Sequence, residues 1–190
     1  MKKLTACFLT LLLISCSDAD QVSLPRQAAL STDNLTFISF TGAAFAAAQK
    51  SGQFWAVPGE SRSMALKYAD SEQEFMRFEV GPHSLPTGDS VLISVQVDAN
   101  GVFAFHFSPS GLRFNPEAPA RLKINYGRAS DDVDSDGDVD FLDALQFVNA
   151  RIWKRELPGM PWLSLPTLQM AGKVEQADIY DFTSFGMAVD

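Results

Sequence analysis

The segment Asp132-Val-Asp-Ser-Asp-Gly-Asp-Val-Asp-Phe-Leu-Asp143 constrains this chain more than any other stretch. Its alternating carboxylates repel one another unless something gathers them. Gly137 follows the third of them, where a residue without a Cβ lets the backbone turn sharply. The spacing fits a twelve-residue calcium loop from end to end. Asp132, Asp134 and Asp136 take positions 1, 3 and 5, and Gly137 takes position 6. Asp138 offers its backbone carbonyl at position 7, and Asp140 and Asp143 stand at 9 and 12. A hard cation that accepts six to eight oxygen ligands in flexible geometry suits this set, so Ca2+ is the expected ion. Once bound, the ion becomes the largest local charge and turns repulsion into attraction.

The residues around the acids extend the reading. Val139, at position 8, is expected to anchor the loop to a core. Leu142, Leu145, Val148 and Ile152 recur at helical spacing and predict a helix over Phe141 to Arg155 with one apolar face. Asp140 also suits the N-cap of that helix, with Asp143 in a capping-box role, so the same acids can be read as a helix start. Position 12 holds Asp where calcium loops usually place Glu. With Val139 and Asp140 before it, this pattern resembles the loops of dockerin modules. That resemblance covers only about residues 132–155 and implies an ion site. Cohesin-binding dockerins carry two such repeats and this chain has one, so cohesin binding is not implied. Arg121–Tyr126, ahead of the loop, alternates like a strand, which excludes a complete helix-loop-helix hand.

The N-terminus sets the expected compartment. Lys2 and Lys3 precede an apolar run from Leu4 to Ile14, too short to span a bilayer as a mature helix. Leu13-Ile14-Ser15-Cys16 closes it and resembles the bacterial lipobox, whose Cys receives a diacylglyceride. The resemblance implies lipidation at Cys16 and membrane attachment through that lipid. Ser17, not Asp, follows Cys16, which in that family favours an outer-membrane lipoprotein of the bacterial cell envelope. The chain has two Cys, Cys7 and Cys16, both in this leader, so a disulfide scaffold and a thiol enzyme are excluded. A net charge of −8 argues against nucleic acid and against adhesion to anionic lipid by charge.

The body reads as strands. Phe54–Val57, Met64–Tyr68, Phe75–Val80, Val91–Asp98, Val102–Phe107 and Arg121–Tyr126 are short apolar or alternating runs. Val91, Ile93, Val95 and Val97 share one face, and Asp98-Ala-Asn-Gly101 is a hairpin turn. Ala43–Gln49 is a short helix or a loop crossing, and Trp162–Leu168, Lys173–Ile179 and Phe182–Val189 are returning strands. The expected fold is mainly β: an antiparallel sandwich with an inserted calcium loop and one helix near the C-terminus. The boundaries are a signal peptide over 1–15, a lipidated tether over 16–31, and a sandwich domain over 32–190 with the loop-and-helix insert at 129–157.

Two further segments, Phe105-His-Phe-Ser-Pro-Ser-Gly-Leu-Arg-Phe-Asn-Pro116 and Leu122-Lys-Ile-Asn-Tyr126, resemble the core of the sandwich shared by ankyrins, netrin receptors and zonula occludens proteins. Ile179-Tyr-Asp-Phe-Thr-Ser-Phe185 resembles its closing strand. Some relatives cleave themselves there at His-Phe-Ser. Here Asp181 and Thr183 replace the His and Ser, so self-cleavage is not expected. The resemblance implies a structural or interaction domain.

No local motif marks an enzyme. The two histidines, His83 and His106, have no Cys or nearby His beside them, and no nucleophile elbow, phosphate loop or dinucleotide fingerprint occurs. The expectation is a non-enzymatic, calcium-binding, lipid-anchored envelope protein. An alternative is a surface module that binds a glycan or an envelope protein, with Trp55, Trp153 and Trp162 as candidate stacking residues.

Overall fold

Strands alternate their side chains between two faces, and the apolar runs of this chain use that alternation to build two sheets around one core. The computed structural model describes residues 31–190 apart from Asp33 and Thr87, so the leader, Cys16 and the tether lie outside the described residues. In chain order the elements are β1 (Ser31–Thr32), β2 (Thr36–Phe37), α1 (Gly42–Ala47), β3 (Ser51–Ala56), β4 (Arg62–Lys67), β5 (Glu74–Val80), β6 (Val91–Val97), β7 (Ala104–Ser108) and β8 (Ala120–Asn125). There follow α2 (Phe141–Asn149), β9 (Arg151–Arg155), β10 (Trp162–Ser164), β11 (Thr167–Met170), β12 (Val174–Ile179) and β13 (Ser184–Val189).

The larger sheet runs β1-β10-β9-β13-β7-β6-β3, with β2 also paired to β13, and the smaller runs β11-β12-β8-β5-β4. All strand pairs are antiparallel. The mainly β fold is therefore as the alternation predicts. Between the sheets lies an aromatic core in which Phe78 contacts Phe107, Phe114 and Phe182 at ring-centroid distances of 5.0, 6.0 and 5.2 Å. Ile93, Val95 and Val97 join that core while Leu92 points out. A second, smaller cluster of Trp153, Trp162 and Ala188, with Leu35 and Phe37 packed against it, covers part of the larger sheet from outside. Gly186 makes room for it: a Cβ there would meet Phe37 Cε1 at 2.6 Å.

Two expectations need correction. The helix ends at Asn149 and does not reach Arg155. Ile152 and Trp153 are both fully buried, Ile152 in the inter-sheet core and Trp153 in the outer cluster. Adjacent residues buried on opposite sides require a strand, so Ala150 turns extended and the chain enters β9. The loop-and-helix insert therefore stops at the start of β9, a central strand of the larger sheet, and does not extend to 157. The expected strand Trp162–Leu168 is also two strands, β10 and β11, on different sheets. Pro166 separates them, since proline has no N–H for a ladder and fixes its own φ.

Candidate metal centre

The acidic loop leaves the sandwich after β8 and returns through α2. Val133 anchors it: this side chain is 4% exposed and belongs to the inter-sheet core. Val139, the anchor expected from sequence, is 67% exposed instead. The inward residue thus comes at the loop's second position and not at its tip.

Side-chain oxygens curl the loop by accepting backbone N–H groups. The Gly137 amide donates to Asp132 Oδ2 at 3.2 Å, the Asp136 amide to Asp134 Oδ1 at 3.4 Å, and the Asp138 amide to Asp136 Oδ1 at 3.1 Å. Gly137, with φ +97°, and Ser135, with φ +62°, take the left-handed conformations such a curl needs.

Asp143 closes the loop. It is 2% exposed, and its two oxygens accept from the Val133 amide at 2.6 Å and the Asp140 amide at 2.9 Å. Those amides, Asp140's first, hold its pKa below the ordinary carboxylate value. Asp140 in turn accepts from the Leu142 and Asp143 amides, completing a capping box at the start of α2. The two readings of these acids are compatible. Each carboxylate oxygen has two lone-pair directions, so accepting one amide leaves a direction for a cation.

The structure brings the six predicted acids together in two sets of three: Asp132, Asp134 and Asp136, and Asp138, Asp140 and Asp143. Within each set one carboxylate oxygen from every residue lies within 4.8 Å of the others, so either set can hold a metal ion. Asp138 joins its set through its side chain, although the sequence reading asked only for its carbonyl. Repulsion, from Asp136 first, raises the Asp138 pKa.

Two oxygens at this centre are buried without a hydrogen-bond donor among the described residues: Asp132 Oδ1 and Gln146 Oε1. The sequence reading missed Gln146. It lies one helical turn beyond Asp143, and its Nε2 donates to Asp134 Oδ2 at 3.4 Å. Beneath the helix, Phe147 stacks on Tyr126 at 6.0 Å, and Lys173 Nζ lies over the Phe147 ring and reaches Asp131. The opposite face of α2 is bare. Leu142, Leu145 and Val148, part of the apolar face read from the sequence, are exposed together with Phe141.

His83 lies exposed in the turn after β5, and His106 lies half-buried in β7. Of the three tryptophans only Trp55 is open to solvent, at 58%; Trp153 and Trp162 are buried and form no platform. Asp181, at the position of the missing His, is held by Lys154 at 2.6 Å, and the Thr183 hydroxyl donates to the Arg155 carbonyl. Among the described residues no helix is long and apolar enough to cross a membrane. Comparison with protein-family models, with curated proteins and with solved structures found no match to this chain.

Proposed function

We propose that this is a calcium-binding, lipid-anchored protein of the bacterial cell envelope, in which the ion completes the Asp132–Asp143 loop and fixes α2 for an interaction role. One observation carries the reading: a curled loop of six carboxylates with a buried Asp132 oxygen that no donor among the described residues satisfies. Such an atom costs free energy unless a partner arrives, and a cation is the partner that also relieves the repulsion among the acids. An all-oxygen, carboxylate-dominated set favours a hard cation such as Ca2+ over softer metals. The likeness to dockerin loops supports the same ion.

The exposed stripe of Phe141, Leu142, Leu145 and Val148 supports the interaction role, because an apolar face beside a polar loop is a usual site of association with another protein. Lipidation at Cys16 would hold the domain at a membrane surface. Calorimetric titration with Ca2+ tests the ion. The account expects one site, in the range of about 10⁻⁴–10⁻³ M typical of extracellular modules, and its loss in Asp132→Ala/Asp136→Ala. Binding that survives the double substitution contradicts it. Labelling with radioactive palmitate, abolished by Cys16→Ala, tests the anchor.

A second reading, glycan recognition, has its own support. Gln53 and Ser94 are register partners on the outer face of β3 and β6, one step along from the Trp55 and Leu92 pair. Amides and hydroxyls beside one open indole suit sugar hydroxyls and a sugar ring face. Saturable quenching of tryptophan fluorescence by a polysaccharide, lost in Trp55→Ala, tests it.

A further inference from the structure

The outer face of the larger sheet carries a polar constellation that no local motif marks. Ser184 in β13 is the register partner of His106 in β7 on one side and of Arg155 in β9 on the other, which puts all three on one face. His106 Nδ1 lies 3.0 Å from Ser184 Oγ, and His106 Nε2 lies 3.1 Å from Asp98 Oδ2. The second Asp98 oxygen accepts the Asn100 amide at 2.8 Å, within the hairpin turn after β6. Burial works against the Asp98 charge, but the Asn100 amide and His106 outweigh it and keep its pKa below the ordinary value.

This arrangement fixes the imidazole. With Nε2–H donated to ionised Asp98, the neutral ring presents its Nδ1 lone pair to the Ser184 hydroxyl. The usual roles of the two ring nitrogens are exchanged, but a base with an orienting carboxylate behind it is the same device. On the other side of Ser184, the Arg155 guanidinium lies over the Trp162 ring at 4.6 Å. Arg155 Nε is buried and has no acceptor among the described residues. A polar cross-strand pair explains the Ser–His hydrogen bond; it does not explain the buried Arg155 Nε, which has no acceptor among the described residues although the guanidinium stacks on Trp162. A shallow groove of about 650 Å³ opens on the His106 side, lined by His106, Gln53, Ser94, Gln96 and Ser108 among others; it reaches the base of the pair and is not lined by Ser184.

We propose that Ser184, His106 and Asp98 form a nucleophilic relay that hydrolyses carboxylic esters, with Arg155 as donor to the oxyanion. Ser184 Oγ bonds to the acyl carbon while its proton passes to His106 Nδ1. The carbonyl electron pair moves onto the oxygen and is met by the Arg155 charge. Collapse breaks the ester C–O bond, and the alcohol leaves with the Nδ1 proton. Water then adds to the acyl carbon as Nδ1 takes its proton. The second collapse breaks the bond to Ser184 Oγ, which recovers that proton as the carboxylic acid departs. The net change is ester plus water to acid plus alcohol.

The chain from Ser17 onward, treated with a fluorophosphonate probe and digested for mass spectrometry, gives a direct test. The proposal expects the adduct on Ser184 and p-nitrophenyl acetate hydrolysis above buffer. Hydrolysis falls roughly 100-fold or more in Ser184→Ala, and Asp98→Asn lowers kcat more than it changes KM. An unlabelled Ser184 overturns the proposal, and so does hydrolysis unchanged in a Ser184→Ala variant that melts like the parent. Because labelling uses the unaltered chain, it decides even if a variant does not fold.

Discussion

The inter-sheet core and the acidic loop are built on opposite terms. Around Phe78, apolar side chains of the two sheets pack on one another, Phe78 of the smaller sheet against Phe107 of the larger. Around Asp132 the chain gathers like charges, leaves a buried oxygen unpaired and turns the apolar residues of α2 to solvent. The first region needs nothing but its own sequence. In the proposed reading the second is finished by something from outside: a cation for the carboxylates and a partner for the helix. The contrast predicts that stability resides in the sandwich and that the loop responds to its surroundings.

Removing core volume tests the first half most severely. Phe78→Ala deletes a fully buried ring that meets four others and is expected to cost about 3–5 kcal/mol in denaturant unfolding. A cost below about 1 kcal/mol would mean the sheets are not held together there.

Like Tyr68, whose buried hydroxyl has no partner among the described residues, Glu175 of β12 breaks the core's self-sufficiency. It is buried, Oε1 has no donor among the described residues, and burial pushes its pKa up to about 7, with Arg151 pulling the other way. A carboxyl whose folded pKa exceeds its unfolded value binds its proton more tightly in the folded state. Its contribution is therefore present in full below about pH 4.5 and is lost as pH rises through about 7. The parent should lose on the order of 1–3 kcal/mol between pH 5 and 8 that Glu175→Gln does not lose. Parallel pH profiles for the two proteins would show that Glu175 is solvated.

At the small end stand the bare residues of the loop and helix. Val139→Ser and Leu145→Ser, at 67% and 47% exposure, are each expected to shift stability by less than about 0.5 kcal/mol, whereas Val133→Ala should cost about 1 kcal/mol or more. Equal effects at Val133 and Val139 would erase the distinction between anchor and tip.

Sequence made the sandwich legible because a strand's period of two is local: Ile93, Val95 and Val97 announce a buried face without reference to any other strand. The acids were legible for the same reason, since ligand spacing in a loop is a property of consecutive residues. What was not legible depended on partners far along the chain. The run Leu142, Leu145, Val148, Ile152 satisfies a helical period, yet Ile152 is claimed by β9 because Trp153 must face the other way. Gln146 becomes part of the metal centre only when α2 folds back on Asp134. The Ser184 and His106 pair joins residues from separate strands, and no motif spans it.

The central claim is that the loop is completed by calcium, and a thermal melt of the chain from Ser17 onward, in EGTA and in 2 mM calcium (roughly the upper end of the weak-site range), tests it most directly. An ion that binds only the folded state raises the midpoint by mass action. The account predicts a higher midpoint with calcium, not reproduced by equal magnesium and absent in Asp132→Ala/Asp136→Ala. A midpoint that is the same in EGTA and in calcium would contradict it.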